Sequence, residues 1–320
     1  HILNSTCKQI LKTPLPLLLG GILVWYSLAR MDQEKMFFHL RNANYAWIFL
    51  GLFFGVLSHL SRAYRWKFML APLGYKPKFT NSVLAVLIGY FVNLAIPRAG
   101  EVSRATVMVN YENIPFEKGF GTIVAERIAD VMMMFLIIGI TLFFQFDFIL
   151  TLISNSFEPL KIGLIFIGVI IGIIIFSSFV KKAKLGFLLK IKNFVVSLTE
   201  GVTSILKMKK KWAFIFHTIF IWTMYVAMFW ATIPAIQGLE VPVGGILVGF
   251  IAGGFSIAAT NGGIGSYPLA VTGAFLLFNL PESPSEAFGW IMWSAQTLMI
   301  VVFGGLAFLV LPIYNKKKNV

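Results

Sequence analysis

The chain has 320 residues, of which 58% are hydrophobic and only 12% charged, with a formal net charge of +14. A soluble domain has no use for so many apolar segments of span length, so the composition defines an all-α polytopic integral membrane protein. The basic excess does not point to nucleic acid, because the Lys and Arg residues sit between hydrophobic segments, where they act as topological anchors.

Taken in order, the first span is expected over about Pro14–Ala29, as an uncleaved anchor, followed by a mixed-charge loop over Arg30–Asn44. A second span starts near Tyr45 and runs into Ser61-Arg62-Ala63-Tyr64-Arg65-Trp66-Lys67. Arg62 and Arg65 lie three apart, hence on one helix face, and read as anchors at the head-group level, with Trp66 suited to the same interface. Apolar Phe79–Ile96 follows, broken at Pro97-Arg98-Ala99-Gly100, with a more polar return to Glu117-Lys118. A third span covers about Gly119–Phe146 and carries Glu126 and Asp130, four apart on one face. A fourth is expected over Ile162–Val180. Lys181–Lys211 then holds nine lysines and one acid, and reads either as an interfacial amphipathic helix on an anionic leaflet or as a plain basic loop. A fifth span covers about Trp212–Pro234. Apolar Val243–Ala259 breaks at Thr260–Pro268 and resumes over Leu269–Leu280, and the last span is Ala287–Leu311.

Charge placement orients these spans. With residues 1–13, 61–78, 117–118, 181–211 and 312–320 in the cytoplasm, that side holds 20 of the 27 Lys and Arg residues and the opposite loops hold four. Both termini are then cytoplasmic, in a cell inner (plasma) membrane. Residues 79–116 start and end inside, and 243–280 start and end outside, so each forms a full helical hairpin or a re-entrant one. The expectation is one transmembrane domain built as an inverted repeat of spans. Its first half covers about 14–146 and its second about 162–311, each with a broken hairpin. Such repeats place a site at their interface, and a broken helix is tolerated only against protein or a water-filled cavity.

The charges beside the first break carry the chemistry. Arg98, Glu101, Arg104, Glu126, Arg127 and Asp130 adjoin membrane-length segments, where a charge costs roughly 2.5–3.5 kcal/mol at mid-bilayer, so they are expected to cluster. They are candidates for binding a lipid head group, since Arg matches phosphate geometry; the bland alternative is an ion-pair network holding the hairpin to the third span. Asn261, Gly262, Gly263 and Gly265 can offer backbone amides to head-group oxygens or simply make a tight turn. Cys7 is the single cysteine and His39, His59 and His217 show no ligand spacing, so neither a disulfide, a metal nor another cofactor is expected. No P-loop, dinucleotide fingerprint or nucleophile elbow is present.

Arg62 to Trp66, Pro97-Arg98-Ala99-Gly100-Glu101 with Arg104, Glu126-Arg127-Ile128-Ala129-Asp130 and Gly262-Gly263-Ile264-Gly265 together resemble the transmembrane region of lysylphosphatidylglycerol synthases. The resemblance runs from the second span to the last. It implies a flippase-like domain that moves a phospholipid or lipid-linked head group between leaflets. The separate soluble domain that makes the aminoacylated lipid in those synthases is not expected here, so synthase activity is not implied. The family often has Pro before the Gly-Gly turn and Glu after it; this chain has Thr260-Asn261 and Pro268. Two other classes stay open. One is an intramembrane lipid-phosphate transferase using Glu126 or Asp130 as a base. The other is a non-catalytic partner of a cell-envelope glycosyltransferase or biosynthetic enzyme. Membrane lipids, anionic or lipid-linked, are the expected partners, with a homodimer also open.

Overall fold

The computed structural model describes residues 22, 24–26, 29, 32–148, 150–151, 208–260 and 262–316. The expected first span lies largely outside these residues. The span over 162–180, most of the basic stretch over 181–211, and Asn261 lie outside them too. The described part is all helix and turn, with no strand.

Helix α1 (Gln33–Asn42) is short and polar, and is capped by Asp32, whose carboxylate accepts from the Lys35 amide. α2 (Tyr45–Leu70) starts on an Asn44 cap and ends in a 3₁₀ turn at Ala71–Leu73. α3 (Phe79–Ala95) and α4 (Ala99–Glu112) form the first hairpin, and α5 (Phe116–Phe144) follows. α6 (Lys211–Thr232) ends in a 3₁₀ turn at Ile233–Ala235. α7 (Val243–Ala259) and α8 (Ser266–Leu276) form the second hairpin, and α9 (Glu282–Asn315) closes the described chain.

Among the described residues, four segments are long and apolar enough to cross a membrane: Tyr45–Leu73, Phe116–Phe144, Lys211–Ala235 and Glu282–Asn315. At 1.5 Å per residue, the 17, 14, 17 and 11 residues of α3, α4, α7 and α8 give about 16–26 Å each, short of a hydrocarbon core of about 30 Å. Several expected boundaries shift. The first break is narrower, because Gly100 already belongs to α4. α8 starts three residues earlier than the apolar run, since Ser266 and Tyr267 pack into the hairpin rather than the loop. α9 starts at Glu282, because Pro281 sits at its cap and an acid in the first turn meets the helix dipole favourably.

The order long helix, Pro-bearing 3₁₀ turn, hairpin, long helix occurs twice, with Pro72 in one turn and Pro234 in the other. Packing follows the same two-fold pattern. α2 lies on α6; α3 packs on α9 as α7 packs on α5; α4 packs on α5 as α8 packs on α9. The central α2–α6 contact is close because α2 presents Gly51 and Gly55 one turn apart. A Cβ there would lie 2.5 Å from Thr232 Oγ1 and 2.9 Å from Met228 Sδ respectively. The hairpins share a further detail: Gly89 and Gly253 are each the eleventh residue of their helix, and each receives a large side chain of the returning helix, Arg104 and Tyr267.

Candidate functional site

Three helices bring the charges together. α5 supplies Glu126, Arg127 and Asp130, α2 supplies Arg62 and Arg65, and α4 supplies Glu101 and Arg104. Arg62 Nη1 donates to Glu126 Oε1 at 2.5 Å and to Asp130 Oδ2 at 2.7 Å. Arg104 meets both Glu126 oxygens at 3.2 Å, a two-pronged contact that fixes the carboxylate plane. Arg65 lies 3.4 Å from both Glu126 Oε1 and Asp130 Oδ1. Arg127 bridges outward, 3.2 Å from Glu101 Oε1 and 3.5 Å from Asp130 Oδ2.

The surrounding residues hold these groups in place. Arg65 also donates to Thr218 Oγ1 at 2.7 Å, and Trp222 Nε1 donates to Asp130 Oδ1 at 3.4 Å. Arg62 Nη2 reaches the Tyr225 hydroxyl at 3.4 Å, which lies 3.1 Å from the Tyr90 hydroxyl. The Arg104 guanidinium stacks over Trp66 at 4.4 Å from the ring centroid, and Trp66 Nε1 donates to Thr122 Oγ1 at 2.8 Å. Two glycines make the first hairpin tight enough to deliver Arg104. A Cβ on Gly89 would sit 2.6 Å from Arg104 Cγ, and one on Gly100 would sit 2.1 Å from the Gly89 carbonyl oxygen. The Gly100 amide donates to Asn93 Oδ1 at 2.7 Å, closing the turn.

Exposure of these side chains forms a gradient. Glu126 and Arg65 are at 0%, Arg62 at 2% and Asp130 at 10%, whereas Glu101 reaches 22% and Arg127 38%. The network is therefore sealed at Glu126 and open at the Glu101–Arg127 end.

Five of the six charges expected to cluster do so: Glu101, Arg104, Glu126, Arg127 and Asp130. Arg98 does not join them. It is the turn residue of the first hairpin, with φ +65°, and that left-handed geometry leaves it exposed, with no ion pair to any described residue. Arg62 and Arg65 need correcting in the other direction. Anchoring at the head-group level requires a reachable guanidinium, but both are buried and sit at the centre of the network. The signal was available: the apolar run continues past them through Phe68-Met69-Leu70, so the helix carries them inside rather than ending at them.

The second hairpin's turn lies beside this region. Gly262, Gly263 and Gly265 all have positive φ, at 63°, 76° and 68°, so glycine is needed to make the turn. A Cβ on Gly262 would lie 3.0 Å from Leu94 Cδ2, so the turns of the two hairpins are neighbours. The carbonyl of Gly262 is taken by Trp293 Nε1 at 2.9 Å. Sequence reasoning missed a trio of hydroxyls at this turn: Ser266 Oγ lies 2.6 Å from Ser256 Oγ and 2.8 Å from Thr260 Oγ1. Among the described residues, no three His, Cys, Asp or Glu side chains gather as a metal site.

Fold and site together define an all-α integral membrane protein with a buried arginine–carboxylate network beside a broken hairpin. The chain belongs to the family described as the lysylphosphatidylglycerol synthase TM region, whose model matches residues 15–305. It is similar to a UPF0104 membrane protein of Methanocaldococcus jannaschii, 24% identical over 345 residues, covering 97% of this chain and 98% of that one. It is also similar to the glycosyltransferase AglD of Haloferax volcanii, 30% identical over 128 residues, but there the match covers 38% of this chain and 20% of that protein. No solved structure matches the chain at a significant level.

Proposed function

We propose that the protein moves the head group of a phospholipid or lipid-linked amphiphile between leaflets while the acyl tails stay in the bilayer. The observation that carries this reading is the exposure gradient. A charge network sealed at Glu126 opens at Glu101 and Arg127, beside the break between α3 and α4. A polar head needs such a wet path, and intramembrane ionisable groups usually mark one. The neighbouring turns of the two short hairpins support it further, as does the repeated element order. In an inverted repeat, re-entrant hairpins from opposite sides would meet near the bilayer midplane. On this reading both termini face the cytoplasm of a plasma-membrane protein. Glu126 and Asp130 already accept from guanidinium groups, which argues against either as the free base of a transferase.

A second reading, a membrane partner for an envelope-biosynthesis glycosyltransferase, is favoured by one observation, the partial match to the glycosyltransferase of Haloferax volcanii. Reconstitution separates the two. Purified protein in vesicles should speed the loss of a fluorescent lipid from the leaflet where a membrane-impermeant quencher reaches it. A rate equal to that of protein-free vesicles, for anionic, zwitterionic and aminoacylated lipids alike, would leave the partner reading.

A further inference from the structure

The second hairpin ends α7 where lipid offers no hydrogen-bond donor. In the proposed topology both ends of this hairpin lie on one side of the membrane. α8 has 11 residues and covers about 16 Å, so the turn it shares with α7 lies about midway through a hydrocarbon core of about 30 Å. Backbone groups at that depth need a partner from protein or from a polar cavity, and the last four carbonyls of a helix have no intrahelical donor. Ser256 O receives the Thr260 amide at 3.0 Å and Thr260 Oγ1 at 2.8 Å. No described residue donates a backbone hydrogen bond to the carbonyls of Ile257, Ala258 or Ala259. Side-chain oxygens gather at the same end, with Ser266 Oγ 2.6 Å from Ser256 Oγ and 2.8 Å from Thr260 Oγ1. Gly263 makes this possible: at φ +76°, a Cβ there would lie 3.0 Å from Tyr267 Cβ and 3.2 Å from Ile257 Cγ1, so the turn folds closely onto α7. Thr260 gives its hydroxyl proton to Ser256 O, so Ser266 donates to Thr260 and Ser256 donates to Ser266. All three protons are committed, while most of the hydroxyl lone pairs stay open.

We infer that this end of α7 binds a monovalent cation, Na+, between the three hydroxyls and the free carbonyls. Hard cations take oxygen ligands, and a helix C-terminus carries about half a negative charge. Broken membrane helices present such ends to Na+. The ligand set is electrically neutral. α7 and α8 carry no charged side chain, and the acids of α9, Glu282 and Glu286, lie at least two turns before Trp293, which reaches the turn through Gly262 O. A divalent ion would bring two uncompensated charges into this interior, a monovalent ion one. Hydroxyl oxygens only 2.6 and 2.8 Å apart frame a small ion, which selects Na+ over K+. Ser256 and Thr260 come from one side of the break and Ser266 from the other, so the ion ties α7 to α8. The site makes no use of the arginine–carboxylate network, and its occupancy does not depend on the translocation reading.

The test uses the full chain in detergent, with NaCl replacing choline chloride at constant ionic strength, read by thermal unfolding and by retention of radioactive sodium. The wild-type melting temperature should rise by at least about 2 °C and saturate, as binding to the folded state requires. KCl should give a much smaller rise. Thr260→Val and Ser266→Ala each remove one ligand oxygen and should raise the sodium concentration for half-saturation at least about tenfold, the scale of one lost contact to a charge. Thr141→Val removes a buried hydroxyl of α5 near the other end of α7, where Gln145 packs on Gly244, and should keep the wild-type sodium dependence. A trio that only pins the turn would lower the melting temperature of both variants equally in sodium and in choline and leave the half-saturation point unchanged; that result overturns the site. A wild type with no sodium-dependent rise and no retained sodium overturns it without recourse to the variants. Equal rises in NaCl and KCl overturn the assignment to sodium.

Discussion

Arg62 and Glu126, 64 positions apart in the chain, meet at 2.5 Å in the interior, both nearly without exposure. That contact ties α2 to α5, and Arg62 extends it to Asp130 one helical turn further on. A guanidinium can do this because its donors spread in a plane and reach two carboxylates at once.

Removing that bridge strands two buried carboxylates. Arg62→Met should therefore lower stability by about 3–5 kcal/mol, the usual cost of breaking one side of a buried pair. Arg62→Lys should recover only part, since a single ammonium cannot replace the planar fork. Thermal unfolding in detergent checks both. A melting curve for Arg62→Met indistinguishable from the wild type would mean the pairing contributes nothing.

The first hairpin depends on two glycines. Gly89→Ala should push Arg104 off its seat, because the new methyl would meet Arg104 Cγ at 2.6 Å. A loss of about 1–3 kcal/mol is expected of such overpacking. Gly139→Ala, where nothing lies within 4 Å, should be neutral or slightly stabilising. The comparison separates packing from a general intolerance of substitution in these helices.

His39 joins α1 to the start of α9 through Ser283 Oγ at 3.1 Å. Burial lowers its pKa below the usual 6.5, so the folded state favours neutral imidazole. The unfolded chain then binds more protons between the folded pKa and 6.5, and stability rises with pH across that window. The contribution is complete above about 6.5 and is lost as pH falls towards the folded value. Amide protection factors in α1, corrected for the intrinsic pH dependence of exchange, should therefore fall on acidification through this range, and the fall should shrink in His39→Gln.

Reporter fusions at Val320 and within residues 181–211 should both report cytoplasm. Moving Arg62 and Arg65 from the loop count to the interior leaves the charge asymmetry intact. A periplasmic signal at either position would invert the proposed topology.

Much of this was legible in the sequence, and the reasons are local. α2, α3 and α7 start where expected because each apolar run is preceded by Asn44, by Pro77-Lys78 or by Pro242, which fix the first turn. Glu126 and Asp130 share a face because they are four apart in an unbroken helix. Proximity in the chain misled at Arg98, which adjoins Glu101 but sits in a left-handed turn that faces it away. Distance in the chain hid Arg62 and Arg65, whose partner Asp130 on α5 is 68 and 65 positions away. The hydroxyl trio of Ser256, Thr260 and Ser266 carries no charge pattern and emerges only when α7 and α8 fold onto each other.

Leaflet exchange in reconstituted vesicles is the most direct test of the central claim, with Glu101→Ala set against the conservative Met133→Leu on α5. Both proteins should fold, since Glu101 is at the open end of the network and Met133 is replaced by a side chain of similar size. Met133→Leu should exchange a labelled anionic lipid at the wild-type rate, while Glu101→Ala should fall by at least about tenfold, the scale of one lost charge-assisted contact. Equal rates for the two variants would contradict it.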